Sequence, residues 1–164
     1  MPRSFLPIEQ ILSMLDVAPA GIAEFTGGLT EDQLHTAPNP GEWSVNEILA
    51  HLRSCADVWG NCILTIIQQD RPTIRAVNPR TWIKSTNYLE QKFRPSLQAF
   101  TAQRAELMAI LESLEPKAWE RGATVTGAGR PRDWSVLSYA RRMTEHERAH
   151  LKQIKSIANT IQRE

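Results

Sequence analysis

Four long stretches of this chain repeat apolar residues at helical spacing, and no comparable stretch alternates at period two with β-branched residues. The first carries Ile8, Ile11, Leu12, Leu15, Ala18, Ile22 and Phe25 and stops at Gly27-Gly28, with Pro19 a predicted kink. The second runs through Val45, Ile48, Leu49, Leu52, Ala56, Trp59, Ile63 and Ile66 to a stop near Asp70 and Pro72. The third extends from Leu89 through Phe93, Leu97, Phe100, Leu107, Leu111 and Leu114 to Glu115-Pro116, and Pro95 is expected to distort its first turns. The fourth shows Val136, Ala140, Met143, Ile154, Ile157 and Ile161. Helices with one apolar stripe each bury themselves most simply against one another, so the expected fold is all-α, a four-helix bundle. The first-to-second and third-to-fourth links hold about 17 and about 20 residues, long for bundle turns, and are expected to cross the bundle ends. The middle link, from Arg71 to about Lys84, holds Pro72, Pro79 and Trp82 and is expected on the surface or at the rim of a cleft. No flexible tract divides the chain, and residues 1–164 are expected to form one domain.

Charge excludes several partners. Nineteen Lys and Arg against 18 Asp and Glu leave a net charge of +1, too little to hold a polyanion or an anionic membrane surface by counterion release. The one basic cluster, Arg130, Arg132, Arg141 and Arg142, lacks the interleaved exposed aromatics that stack on bases. No nucleic-acid partner and no membrane partner is expected. Cys55 and Cys62 stand seven apart in one helix, about 10 Å along its axis, and cannot bridge each other, which points to a reducing, cytoplasmic compartment. The opening MPRSFLPIEQ lacks the apolar core of a signal sequence, and no window has the length of a membrane span.

The links enter the second and fourth helices through matching tetrapeptides, Glu42-Trp43-Ser44-Val45 and Asp133-Trp134-Ser135-Val136. In each, Ser is a natural N-cap and the preceding Trp can staple against Ile48 or Tyr139; Ser44 and Glu47 also complete a capping box.

Three of the four histidines fall inside these two helices. His146 and His150 are four apart, so they project from one face about 6 Å apart along the axis, the spacing at which two imidazoles share a metal ion. They interrupt the stripe between Met143 and Ile154 and so face the bundle. His51 lies on the flank of the Ile48, Cys55, Trp59 line. If the second and fourth helices are neighbours, three imidazoles converge, a donor set that suits Zn²⁺, Ni²⁺ or Fe²⁺ with an open position. His35 has no partner and is expected to be structural. The run His146-Glu147-Arg148-Ala149-His150 also fits the zinc-protease helix pattern. The downstream ligand that a protease needs is missing, since Gln153 and Ser156 stand where its longer form requires Gly and His.

The segment Trp43-Ser44 with Ile48-Leu49-Ala50-His51-Leu52, followed by His146, His150 and Gln153-Ile154 in the last helix, resembles the DinB-like superfamily of four-helix bundles. The resemblance spans nearly the whole chain in helix order and link length, and all three ligand positions match. It implies a divalent metal, nickel or zinc, held by His51, His146 and His150. It further implies a small-molecule substrate, a thiol-dependent transferase or hydrolase type of reaction that in some relatives uses a low-molecular-weight thiol, and a homodimer. Around the ligands, Glu47, Cys55 and Glu147 are candidates for supporting positions, Cys55 also for a fourth ligand, and Trp59 for a wall of the site. Arg141 and Arg142 are candidate anchors for an acidic substrate. The competing expectation is a bundle that binds a metal or small ligand without turnover.

Overall fold

Pro7, whose missing N–H has no partner to lose at a helix start, leads into α1 (Ile8–Thr26). The computed structural model describes residues 5–163; residues 1–4, part of the opening read as lacking a signal sequence, and Glu164 lie outside it. After α1 come the single-turn α2 (Glu31–Leu34), α3 (Val45–Gln68), strand β1 (Thr73–Arg75) and α4 (Pro79–Trp82), which runs into a 3₁₀ turn at Ile83–Ser85. Then follow α5 (Phe93–Glu112), a 3₁₀ turn at Pro116–Glu120, strands β2 (Gly122–Thr126) and β3 (Arg132–Ser135), and α6 (Val136–Gln162). The four long helices form the bundle. α1 packs on α6 and α5, and α3 packs on the same two, so α1 and α3 sit diagonally and the links between bundle helices cross its ends.

Two local expectations are corrected. The third bundle helix begins at Phe93, not Leu89, which lies in a turn with 46% of its surface exposed and takes a hydrogen bond from Asn46 Nδ2 on its carbonyl. Pro95 then falls in the first turn of α5, where a backbone N–H has no intrahelical partner anyway. The links are not wholly irregular either. β1 from the middle link pairs in parallel with β2, and β2 pairs antiparallel with β3, giving a three-stranded sheet in the order β1-β2-β3. Strands of three to five residues are too short to carry a visible alternation in sequence, and their pairing is non-local. Gly127 and Gly129, at φ of 85° and 81°, turn the chain between β2 and β3 in the left-handed region that glycine tolerates.

The apolar core is divided. One cluster gathers around Ile11, Leu15, Ile63, Ile66, Leu111, Trp119 and Tyr139, and ends on α6 at Met143. The other gathers around Ile22, Leu34, Ile48, Leu49, Phe93, Phe100 and Ile157, and resumes on α6 at Ile154. Between them lies a polar belt in which Arg104, Thr144 and Glu147 are buried on one side and the histidines stand on the other. Among the described residues no helix is long and apolar enough to cross a membrane.

Candidate metal centre

Two N-caps set where the histidines stand. Ser44 accepts a hydrogen bond from the Glu47 amide at 3.1 Å while the Glu47 side chain reaches back to the Ser44 amide, and Ser135 makes the equivalent box with Ser138. Trp134 staples against Tyr139, with ring centres 4.9 Å apart. Trp43 packs on two of the histidines: its indole centre is 5.0 Å from that of His51 and 6.4 Å from that of His150. With α3 and α6 side by side, His51 on the second turn of α3 meets His146 and His150 on α6.

The three imidazoles meet through their Nε2 atoms. His51 Nε2 is 3.1 Å from His146 Nε2, which is 3.2 Å from His150 Nε2. A neutral ring nitrogen has one proton or one lone pair to offer, so an imidazole hydrogen bond accounts for one of these contacts but not both. Two nitrogens bound at 2.0–2.1 Å in a tetrahedral shell lie about 3.3 Å apart, so the observed spacings fit a common cation. The tautomers fit as well. Gln153 Oε1 lies 2.9 Å from His150 Nδ1 and can accept its proton, which leaves the Nε2 lone pair facing the cluster. Cys55, one turn beyond His51, brings its Sγ to 3.6 Å from His51 Nε2, and the donor atoms of His51, Cys55 and His146 all lie within 4.8 Å of one another.

Burial keeps these groups uncharged. Desolvation first, then the electrostatic influence of His150 and of Arg80, push His51 down to about 4. Desolvation and the neighbouring histidines and arginines push His146 down to about 3. Burial and the Glu147 charge push the Cys55 thiol up to about 12, against the pull of Arg142 and Arg80. Neutral imidazoles are the form in which histidine binds a metal.

The remaining candidates are dispersed around this cluster. Glu47 is engaged by the α3 cap. Glu147 turns towards α1 and α5, where Arg104 Nη2 donates to its Oε2 at 2.7 Å, Arg104 Nη1 approaches its Oε1 to 2.6 Å, and the same Nη1 donates to Leu15 O. Arg141 reaches the N-terminal segment, donating to Leu6 O and covering the Phe5 ring. Arg142 lies over Trp59, whose ring meets His146 edge-on at 5.0 Å between centres. His35 pairs with Glu31 on α2, away from the cluster.

A family model for the DinB superfamily matches residues 14–154. The chain belongs to the DinB superfamily. It is 24% identical over 153 residues to a Geobacillus thermodenitrificans protein named "Putative metal-dependent hydrolase", covering 92% of this chain and 83% of that one. A similarly named Geobacillus kaustophilus protein is 25% identical over 155 residues with the same coverage. In structure, the chain resembles Bacillus subtilis YfiT, described as a probable metal-dependent hydrolase with an unusual four-helix bundle topology. The TM-score is 0.82 at 17% identity, over 98% of this chain and 93% of that one, a likeness of fold.

Within this DinB-superfamily bundle, Arg80 beside the cluster and Arg104 on the opposite side of the polar belt are residues that sequence reasoning missed. Arg104 had a signal: a charged residue on the stripe between Phe100 and Leu107 has to find a buried partner. Arg80 had none beyond its place in a link expected to rim a cleft. Its backbone is fixed by α4, where Asn78 Oδ1 accepts from the Arg80 amide and Ser54 Oγ of α3 donates to Pro79 O at 2.7 Å. The centre thus has three converging nitrogens, one nearby sulfur and an aromatic wall on either side, which is enough to hold a borderline-soft cation.

Proposed function

We propose that this chain is a divalent-metal-dependent enzyme acting on a small molecule, with His51, His146 and His150 as the metal ligands. The observation that carries this reading is the double contact at His146 Nε2, which a cation satisfies and imidazole hydrogen bonding does not. The names of the curated relatives support a hydrolase, and the family resemblance supports a thiol-dependent transferase as the sister possibility. The chemistry that such an ion supplies when bound is Lewis acidity and an easier deprotonation of water or a thiol at its open position.

The protein's own residues support that chemistry. Gln153 orients the His150 ring and selects its tautomer. Trp43 and Trp59 cover the imidazoles and limit access of bulk water. Glu147, held by Arg104, is committed to the interior and is not offered as a proton carrier.

A second reading, a bundle that holds a metal without turnover, is favoured by one observation: Cys55 Sγ stands close enough to act as a fourth ligand and close the shell. Metal content of the purified chain, with Zn²⁺, Ni²⁺ or Co²⁺ supplied, tests the first reading. About one ion per chain is expected in the wild type, falling well below half in His51→Ala, His146→Ala and His150→Ala; a wild type that takes up none refutes it. The Co²⁺ form separates the two readings. A strong thiolate-to-cobalt absorption that disappears in Cys55→Ser marks the closed shell, and its absence leaves the open one.

A further inference from the structure

Several arginines are committed to hydrogen bonds within the fold. Arg53 donates to Gln91 and Ser96, Arg94 to Thr26 and Leu29, Arg104 to Glu147 and Leu15, and Arg121 to Ile67 and Gln69. Arg80 and Arg142 are uncommitted, as are other surface arginines such as Arg75 and Arg148, but these two alone lie over tryptophans of the site. Both are exposed, and among the described residues neither guanidinium has an ion-pair partner or a hydrogen-bond acceptor. They come from unrelated parts of the chain, yet each guanidinium lies over an indole that in turn contacts an imidazole of the cluster. On one flank the Arg80 guanidinium carbon is 5.5 Å from the Trp43 ring centre, and Trp43 packs on His51 and His150. On the other, that of Arg142 is 5.3 Å from Trp59 and 5.7 Å from Trp134, and Trp59 packs on His146.

Two cations beside a cation-binding cluster work against it. Like charges standing one indole away from the imidazoles raise the free energy of a bound divalent ion. A centre built only to hold metal gains nothing from them. An anion between the two flanks offsets both charges, and the planar donor forks, pre-positioned by stacking on indoles, match carboxylate and phosphate oxygens. We propose that Arg80 and Arg142 form a two-sided clamp for the oxyanion groups, carboxylate or phosphate, of the small-molecule substrate. The clamp rests on the reading of the histidines as a metal centre, and it makes Arg80, in the middle link, a specificity-determining residue.

Calorimetric titration of succinate and, separately, inorganic phosphate into the full chain at low ionic strength tests the clamp, in zinc-loaded and metal-free forms. Both forms of the wild type are expected to bind, and Arg80→Gln and Arg142→Gln each to weaken binding about fivefold or more, with Arg80→Lys retaining part of the affinity. Arg148→Gln, exposed on α6, serves as the control and is expected to bind like the wild type. Zinc uptake by the two arginine variants is expected to equal or exceed that of the wild type, because a like charge has been removed. Preference for succinate marks a carboxylate substrate and preference for phosphate a phosphorylated one. Equal anion affinity in wild type, Arg80→Gln and Arg142→Gln overturns the clamp, as does the absence of binding to the zinc-loaded wild type. If the wild type takes up no zinc while arginine-dependent anion binding persists, the metal reading falls and takes with it the substrate role proposed for the two arginines, which are then an anion site only.

Discussion

His146 is the most constrained side chain of the centre: two imidazole nitrogens crowd its Nε2, its Nδ1 is buried without a hydrogen-bond partner, and Trp59 covers its ring. Holding it neutral has a measurable consequence in the metal-free protein. His51 and His146 titrate at about 4 and about 3 in the fold, against 6.5 for a free side chain. Below pH 6.5 the unfolded chain therefore binds protons that the folded chain refuses, and stability falls as pH drops towards the folded values. Urea midpoints of metal-free protein are expected to fall from pH 7.5 to pH 5, with a shallower fall in His146→Gln. A slope that is the same in both forms contradicts the assignment of buried, neutral imidazoles. At this scale the histidines were legible because helical spacing alone puts His146 and His150 on one face, whereas Arg80 reaches the site through a link whose path no periodicity encodes.

The elements that aim these side chains start at serine caps. Ser44 and Ser135 each satisfy an amide in the first turn of a site helix, and replacing either by alanine is expected to cost about 1 kcal/mol in urea unfolding. Such caps are local in sequence, which is why both helix starts were readable, as was the staple of Trp134 on Tyr139. The Ser135–Ser138 box was less visible than the Ser44–Glu47 one, because serine at the third position is not the residue that usually completes it. The sheet was not legible at all. Thr73–Arg75 and Gly122–Thr126 are far apart in sequence, and a three-residue strand carries too little pattern to declare a partner. The start of α5 was misplaced for the opposite reason: Leu89 continues the apolar spacing by coincidence, in a turn that never joins the helix.

At the scale of the whole molecule, the bundle order explains both the long links and the divided core. Because α1 and α3 lie diagonally, neither the link to α3 nor the one to α6 can be a tight turn. The polar belt then interrupts the packing at one level, with the Arg104–Glu147 pair filling the side away from the histidines. Removing either member of such a buried pair strands the other, so the belt is sensitive to point changes in a way the flanking clusters are not. The hairpin of β2 and β3 acts on this level too. β3 ends on the very residue that caps α6, so the ladder Gly122↔Ser135 and Ala123↔Trp134 serves as an indexing mark for the rotation of that helix. One extra residue in α6 between that mark and His146 turns everything downstream by about 100°, carrying both histidines off the seam with α3. Alanine inserted between Met143 and Thr144 is therefore expected to abolish metal uptake measured as ions per chain. The same insertion between Gly127 and Ala128, at the hairpin tip, is expected to leave it intact, and equal uptake by the two would show that the helix finds its orientation without the ladder.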